Sequence, residues 1–162
     1  MKTIKIYTDG ACASNNLLDA SKRAGGYAWV MAGTEQRTCY SAKYIGADST
    51  NNKMEMLAAI SALRSVSQKA KVILALDSAY VQTSIEGRDT RLVVDNVIYL
   101  KTGKPAKNCG ELLELYKEID RIRDLGGSVV VEKVRGHIGD PDNEAADRLA
   151  KARAAQVMLG RK

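Results

Sequence analysis

The sequence predicts an α/β fold, a mixed sheet with helices on its faces, and two observations carry that prediction. Hydrophobic periodicity is close to 2 in the first part of the chain and changes to helical spacing from Asn52 onward. Val72 to Leu76 is then a short continuous apolar run, the signature of a strand buried on both faces of a helix-covered sheet. The order that results is βββαβα(α)αβα.

Taken in order, residues 3–8 (TIKIYT) alternate apolar and polar, and 25–32 and 37–45 are rich in Tyr, Val, Thr and Trp between turn-forming segments. Three strands in an antiparallel meander are the simplest reading. Met56, Ala59, Ile60, Leu63 and Val66 then fall on one helical face, predicting a helix of several turns. After the buried strand, Ala79 to Glu86 is a short helix and Leu112, Leu115, Tyr116, Ile119 and Ile122 mark a clearer one. Gly126-Gly127 turns the chain into a strand over 128–134. Asp140-Pro141 starts the last helix, with Asp as N-cap and Pro at the first helical position, running to about 157. Two stretches fit no element: 13–24, polar and loop-like, and 90–108, which opens as a possible helix or strand and ends in KTGKPAKN.

At 162 residues the chain is expected to form a single domain, with 155–162 a basic tail able to prolong the helix or fray. Hydrophobic residues at 45% and charged residues at 27% exclude a disordered chain, and no repeat suggests a solenoid. No apolar run approaches membrane-spanning length, and Lys5 and Asp9 interrupt the N-terminus where an export signal would be apolar. Cys12, Cys39 and Cys109 are too widely spaced for a zinc site and odd in number. A reducing cytoplasm is the expected compartment. The net charge of +6, from 25 basic and 19 acidic residues, favours a polyanionic partner. Lys101, Lys104 and Lys107 fall within seven residues with no acid among them, either a solvated loop or a phosphate-contacting one.

Four carboxylates stand out, each with a structural explanation of its own. Asp9-Gly10 is a turn signal; Glu55 can close a capping box with Asn52 as N-cap; Asp77 can cap the helix after the buried strand; Asp147 can pair with Lys151 one turn on. Together they say more. Two lie at the ends of strands that should be neighbours, one begins the first helix, and one lies on the last helix, which must pack back over the sheet. Converging carboxylates repel one another and need cations. Oxygen donors without Cys or paired His point to Mg²⁺ or Mn²⁺. Two such ions can activate a water and stabilise the leaving oxygen of a phosphodiester, which is nuclease chemistry. His137, the only histidine, sits between Gly136 and Gly139 and can carry a proton near neutral pH.

These pieces resemble the ribonuclease H family, in particular its bacterial type I enzymes. The matching stretches are IYTDGAC at 6–12, GGYAWV at 25–30, TNNKMEMLAAISAL at 50–63, LDSAYV at 76–81 and RGHIGDPDNEAADRLA at 135–150, in the family's chain order. The resemblance implies a mixed five-stranded sheet, three antiparallel strands then parallel strands, flanked by helices. It implies a metal-dependent endonuclease that cuts the RNA strand of RNA/DNA hybrids to leave 3′-hydroxyl and 5′-phosphate ends; nothing in the sequence demands more than a monomer, or an obligate protein partner. Asp9, Glu55, Asp77 and Asp147 would hold the metal, two Mg²⁺ ions during catalysis with Mn²⁺ as a substitute. His137 would assist proton transfer or product release, and Gly10 and Asn143 would support the site. Cys12, Asn15, Thr50, Asn51 and Asn52 match positions that grip backbone, phosphate or minor groove, where only RNA offers 2′-hydroxyls.

The chain departs from the family's pattern in three places. SNNLLDASKR at 14–23 replaces a compact Gly- and Pro-rich turn, Ala79 stands where many relatives carry a polar amide, and the segment before KTGKPAKN lacks tryptophan. The sole tryptophan, Trp29, is expected in the core. Hybrid binding by that segment is expected to rest on lysines and to fall steeply with salt. A non-catalytic nucleic-acid-binding module on the same fold would have been favoured by loss of any of the four acids, and none is lost. A recombinase on a related fold would want additional DNA-binding regions.

Overall fold

The opening alternation produces β1 (Lys2–Ala13), which runs beyond TIKIYT because Asp9 to Ala13 stay paired on one side. The computed structural model describes residues 1–13, 23–33, 38–46, 49–134 and 140–159. β1 pairs antiparallel with β2 (Ala24–Met31), and β2 pairs antiparallel with β3 (Cys39–Ile45), giving the expected meander. On its other side β1 pairs parallel with β4 (Ala70–Leu76), and β4 pairs parallel with a strand over Ser128–Lys133. The strand order is therefore three antiparallel strands followed by two parallel ones, with β1 at the centre.

Parallel neighbours require crossovers, and the helices supply them. α1 (Asn51–Arg64) carries the chain from β3 to β4, and α2 (Ala79–Glu86) and α3 (Cys109–Asp124) carry it onward to the last strand. α4 (Pro141–Leu159) closes the chain. The main core lies between the sheet and α1 to α3, where Ile4, Ile6, Val72 and Leu74 meet Met56, Leu63, Leu115 and Ile119. Trp29 is part of it, its indole N–H donating to Ser61 Oγ at 3.0 Å. A smaller core on the opposite face sets Tyr7, Val30 and Ala75 against Ala145 and Ala146 of α4. Strand alternation thus sends Ile4 and Ile6 one way and Tyr7 the other.

Two sequence expectations are corrected, and one open stretch is resolved. Asn52 is not the cap of α1: Thr50 is, its Oγ1 accepting from Lys53 N at 3.1 Å, so the Asn52/Glu55 capping box does not form. Val66 lies beyond the helix, buried in the turn that follows it. The 90–108 stretch contains a hairpin, β5 (Leu92–Val94) and β6 (Val97–Tyr99), which makes the Ser128–Lys133 strand β7. Asp95 and Asn96 both take positive φ, 50° and 62°, the pairing that a two-residue hairpin turn requires. The lysine loop then folds back on β6, with Ala106 N donating to Ile98 O at 2.8 Å.

The Asp140-Pro141 helix start is as expected: Asp140 Oδ1 accepts from Asp142 N at 3.0 Å and Asn143 N at 3.4 Å. α4 continues past 157 to Leu159, so residues 155–159 prolong the helix. Among the described residues, no helix is long and apolar enough to cross a membrane.

Candidate active site

The site begins where the parallel pairing stops. Tyr7 and Ala75 are the last paired rung between β1 and β4, and Asp9 and Asp77 each lie two residues beyond it. Neighbouring strands run ~4.8 Å apart, so Asp9, still paired with β2, and Asp77, just past the end of β4, stand side by side at the carboxyl end of β4, where open α/β sheets place ligands. Asp77 is exposed, and the following residue, Ser78, caps α2 by accepting from Val81 N at 3.1 Å. Capping of α2 therefore falls to Ser78, and Asp77 is left to the cleft.

Two glycines let the helices close on this edge. A side chain on Gly10 would collide with the backbone of Met54 and Glu55, so its absence lets β1 approach the start of α1 and sets Asp9 near Glu55. A side chain on Gly26 would collide with the backbone of Ala150 and Ala154, so α4 lies directly on β2 and delivers Asp147 to the same place. Asn51 ties these parts together, its Oδ1 accepting from Cys12 N at 3.0 Å. The Cys12 thiol faces Ser49, with both Ser49 oxygens at 3.4 Å. The result is a cleft of about 660 Å³ lined by Asp9, Gly10, Ala11 and Cys12 of β1, Asn51, Asn52 and Glu55 of α1, Asp77 to Tyr80, and Asp147, Lys151, Ala154 and Ala155 of α4.

The electrostatics of the cleft are set by its acids. Asp9 is 9% exposed; its Oδ1 accepts from Gly10 N at 2.8 Å, but its buried Oδ2 has no hydrogen-bond donor among the described residues. The side chains facing it are Glu55 and Asp147, themselves acids. Burial, helped by Asp147, raises Asp9 to about 6, and burial with the nearby Asp9 raises Glu55 to about 9. Both acids therefore favour the protonated form more than a free carboxylic acid does, and the repulsion behind this is what a bound cation would relieve. Lys151 supplies a positive charge, 3.0 Å from Asp147 Oδ2, as expected from their spacing. Among the described residues, no three His, Cys, Asp or Glu side chains close around a single point. The acids share a cleft without forming a finished chelate. Even so, the donor set fits a hard divalent ion: oxygen ligands only, one of them buried and unpartnered.

The cleft brings together Asp9, Gly10, Cys12, Asn51, Asn52, Glu55, Asp77 and Asp147 from the sequence expectation. Thr50 lies outside it, employed as the cap of α1, and Asn143 is buried on α4 without lining it. Lys101, Lys104 and Lys107 are exposed on the arm after β6 and form no ion pair with described residues. His137 and Asn15 lie outside the described residues. Sequence reasoning missed Tyr80, which lines the cleft and reaches the arm: its hydroxyl accepts from Asn108 Nδ2 at 3.0 Å and donates to Lys107 O at 3.4 Å. No periodicity signals this, because the contact joins α2 to a loop 27 residues away.

A mixed sheet with an acid cleft at its carboxyl edge defines a divalent-metal-dependent phosphodiester hydrolase. The family model described as RNase H matches residues 1–155. The chain belongs to the ribonuclease H family, endoribonucleases acting on RNA/DNA hybrids. It is 36% identical over 159 residues to ribonuclease H of Rhizobium johnstonii, covering 93% of this chain and 91% of that one. With ribonuclease H of Klebsiella pneumoniae it shares 34% over 166 residues, covering 98% and 94%. Among solved structures, LC9-RNase H1, described as a type 1 RNase H with the type 2 active-site motif, superposes with a TM-score of 0.71 at 22% identity, covering 96% of this chain and 73% of that one. LC11-RNase H1 in complex with RNA/DNA hybrid gives 0.63 at 20%, covering 96% and 99%.

Proposed function

We propose that the chain, acting as one monomeric catalytic domain in the reducing cytoplasm, hydrolyses the RNA strand of RNA/DNA hybrids, leaving 3′-hydroxyl and 5′-phosphate ends. The observation that carries this is the convergence of Asp9, Glu55, Asp77 and Asp147 on one cleft. These four residues would hold Mg²⁺, two ions during turnover with Mn²⁺ as a substitute, which would activate water and stabilise the leaving oxygen. Three free cysteines support the reducing compartment.

The remaining roles belong to the chain's own groups. Asn51 and Asn52 at the start of α1, with the Cys12 backbone, present short polar groups at the cleft rim suited to 2′-hydroxyls. Thr50 keeps its hydroxyl on the helix, so its contribution is to fix where Asn51 and Asn52 stand. Lys101, Lys104 and Lys107 contact phosphates further along the duplex. His137 would assist proton transfer or product release, by its place in the motif ten residues before Asp147. Asn143 steadies α4 from within. The neighbour solved with bound RNA/DNA hybrid supports this substrate.

Incubation with labelled RNA/DNA hybrid, duplex DNA and single-stranded RNA, each with Mg²⁺, Mn²⁺ or chelator, tests the proposal. Cutting of the hybrid's RNA strand alone, abolished by chelator, is the expected result. Hybrid binding without cutting would replace it with the binding-module reading.

A further inference from the structure

Two of the acids that face each other across the cleft, Asp9 and Asp147, come from different elements, so their separation depends on how α4 is seated on β1. Tyr7 lies two residues before Asp9 on the same face of β1, its ring buried against Ala145 and Ala146 of α4. Its hydroxyl donates to Asp140 Oδ2 at 2.6 Å. Asp140 is the cap of α4, and its other oxygen accepts from the first-turn backbone. One carboxylate thus bonds the strand through one oxygen and the helix start through the other. The brace continues outward: Lys5 lies over the Tyr7 ring, 5.1 Å from its centroid, and pairs with Glu132 of β7 at 2.8 Å.

We propose that Tyr7, acting through Asp140, is a positioning residue that sets the distance between Asp9 and Asp147 and so the affinity of the cleft for divalent metal. The inference rests on the reading of Asp9 and Asp147 as metal holders. α4 is continuous from Pro141 to Leu159, so Asp147, two turns from its start, moves with that start. Further along, the Gly26 approach and Arg153 Nε, donating to Ser41 Oγ at 2.9 Å, hold the C-terminal half of α4 on β2 and β3, whereas near its start Ala145 and Ala146 resist lifting but give no directional hold against sliding or rotation. A short hydrogen bond to an ionised carboxylate opposes both, being directional. The brace touches neither substrate nor metal, and its effect belongs on metal binding.

Tyr7→Phe keeps the ring and removes the hydroxyl, and with it the bond to Asp140 and the polar contact with Lys5. Manganese titration of the hybrid-free protein by calorimetry is expected to give a dissociation constant raised about tenfold, as for loss of an outer partner of a ligand, with KM for hybrid and kcat at saturating metal within roughly twofold of the parent. Asp140→Asn keeps an acceptor for the cap and turns an amide N–H toward the tyrosine oxygen, so it is expected to hold metal within roughly threefold of the parent. A folded Tyr7→Phe protein with the parent's metal affinity would overturn the brace. Asp9→Asn is measured beside it: if that substitution leaves manganese affinity unchanged, the metal-holder reading fails and the brace fails with it. If Asp9→Asn abolishes binding while Tyr7→Phe does not weaken it, the brace alone fails.

Discussion

The acid cleft and the arm of residues 90–108 are both expected to serve the substrate, yet they are built in opposite ways. In the cleft, β1, α1 and α4 close on one another through two glycines, and the acids are held by backbone elements of a packed core. The arm is a hairpin of two three-residue strands with Leu92, Val93 and Val94 exposed and three lysines in solvent. Chemistry needs atoms fixed to a fraction of an ångström, whereas attraction of a polyanion needs only charge within a Debye length. The cleft accordingly carries a buried carboxylate, Asp9, with one oxygen lacking a partner among the described residues, and the arm carries exposed lysines. Tyr80 joins them, one wall of the cleft bonded to the end of the arm.

Substitutions that damage one region and spare the other test this division. Gly10→Ala should be the most damaging, because the new methyl meets backbone at Met54 and Glu55 and pushes β1 from α1. Cleavage is expected to fall about a hundredfold or more, as a small misplacement of reacting groups does. Stability should drop by about 1–3 kcal/mol, read by urea denaturation. Hybrid binding at the arm should persist.

Replacing Lys101, Lys104 and Lys107 together with Gln should do the reverse. Loss of three phosphate contacts is expected to flatten the slope of log affinity against log salt by about 2 to 3, with kcat unchanged. In the unaltered chain, hybrid affinity should fall sharply between roughly 50 and 200 mM salt. Equal affinity at both would remove the arm from the account.

The cleft should also show itself in the pH dependence of stability without metal. Asp9 is raised to about 6 and Glu55 to about 9, so above about pH 4 the folded chain holds protons that the unfolded chain has released. Stability is therefore complete below about pH 4, falls as pH rises through about 6, and falls further toward about 9. Thermal melts across this window in chelator should decline by several degrees, and added Mg²⁺ should flatten the decline by replacing the proton. The smallest effect is expected from Thr50→Ala, which loses the α1 cap bond and about 1 kcal/mol, with metal affinity little changed.

Most of the fold was legible because the hydrophobic period changes cleanly, from 2 in β1 to helical spacing in α1. The hairpin was not, since three-residue strands offer no period and only the Asp95-Asn96 turn marks it. The α1 cap was misplaced because Thr50, Asn51 and Asn52 are all good caps; Thr50 takes the role, while Asn51 spends its Oδ1 on Cys12 N, a contact 39 positions away. The four acids were legible as a set, whereas their meeting depends on the register ending at Tyr7 and Ala75 and on the close approach of α4 at Gly26. Tyr7 itself read only as an alternating strand residue; its bond to Asp140 spans 133 positions and leaves no local trace.

The central claim is that this cleft accepts a strained cluster of acids in order to hold metal. Asp9→Asn tests it in one protein by two readings, RNA-strand cleavage in Mg²⁺ and the melting temperature in chelator at about pH 8. Removing a buried charge beside like charges should abolish cleavage and raise the metal-free melting temperature by a few degrees. Near-normal cleavage, or a protein destabilised without metal, would contradict the account.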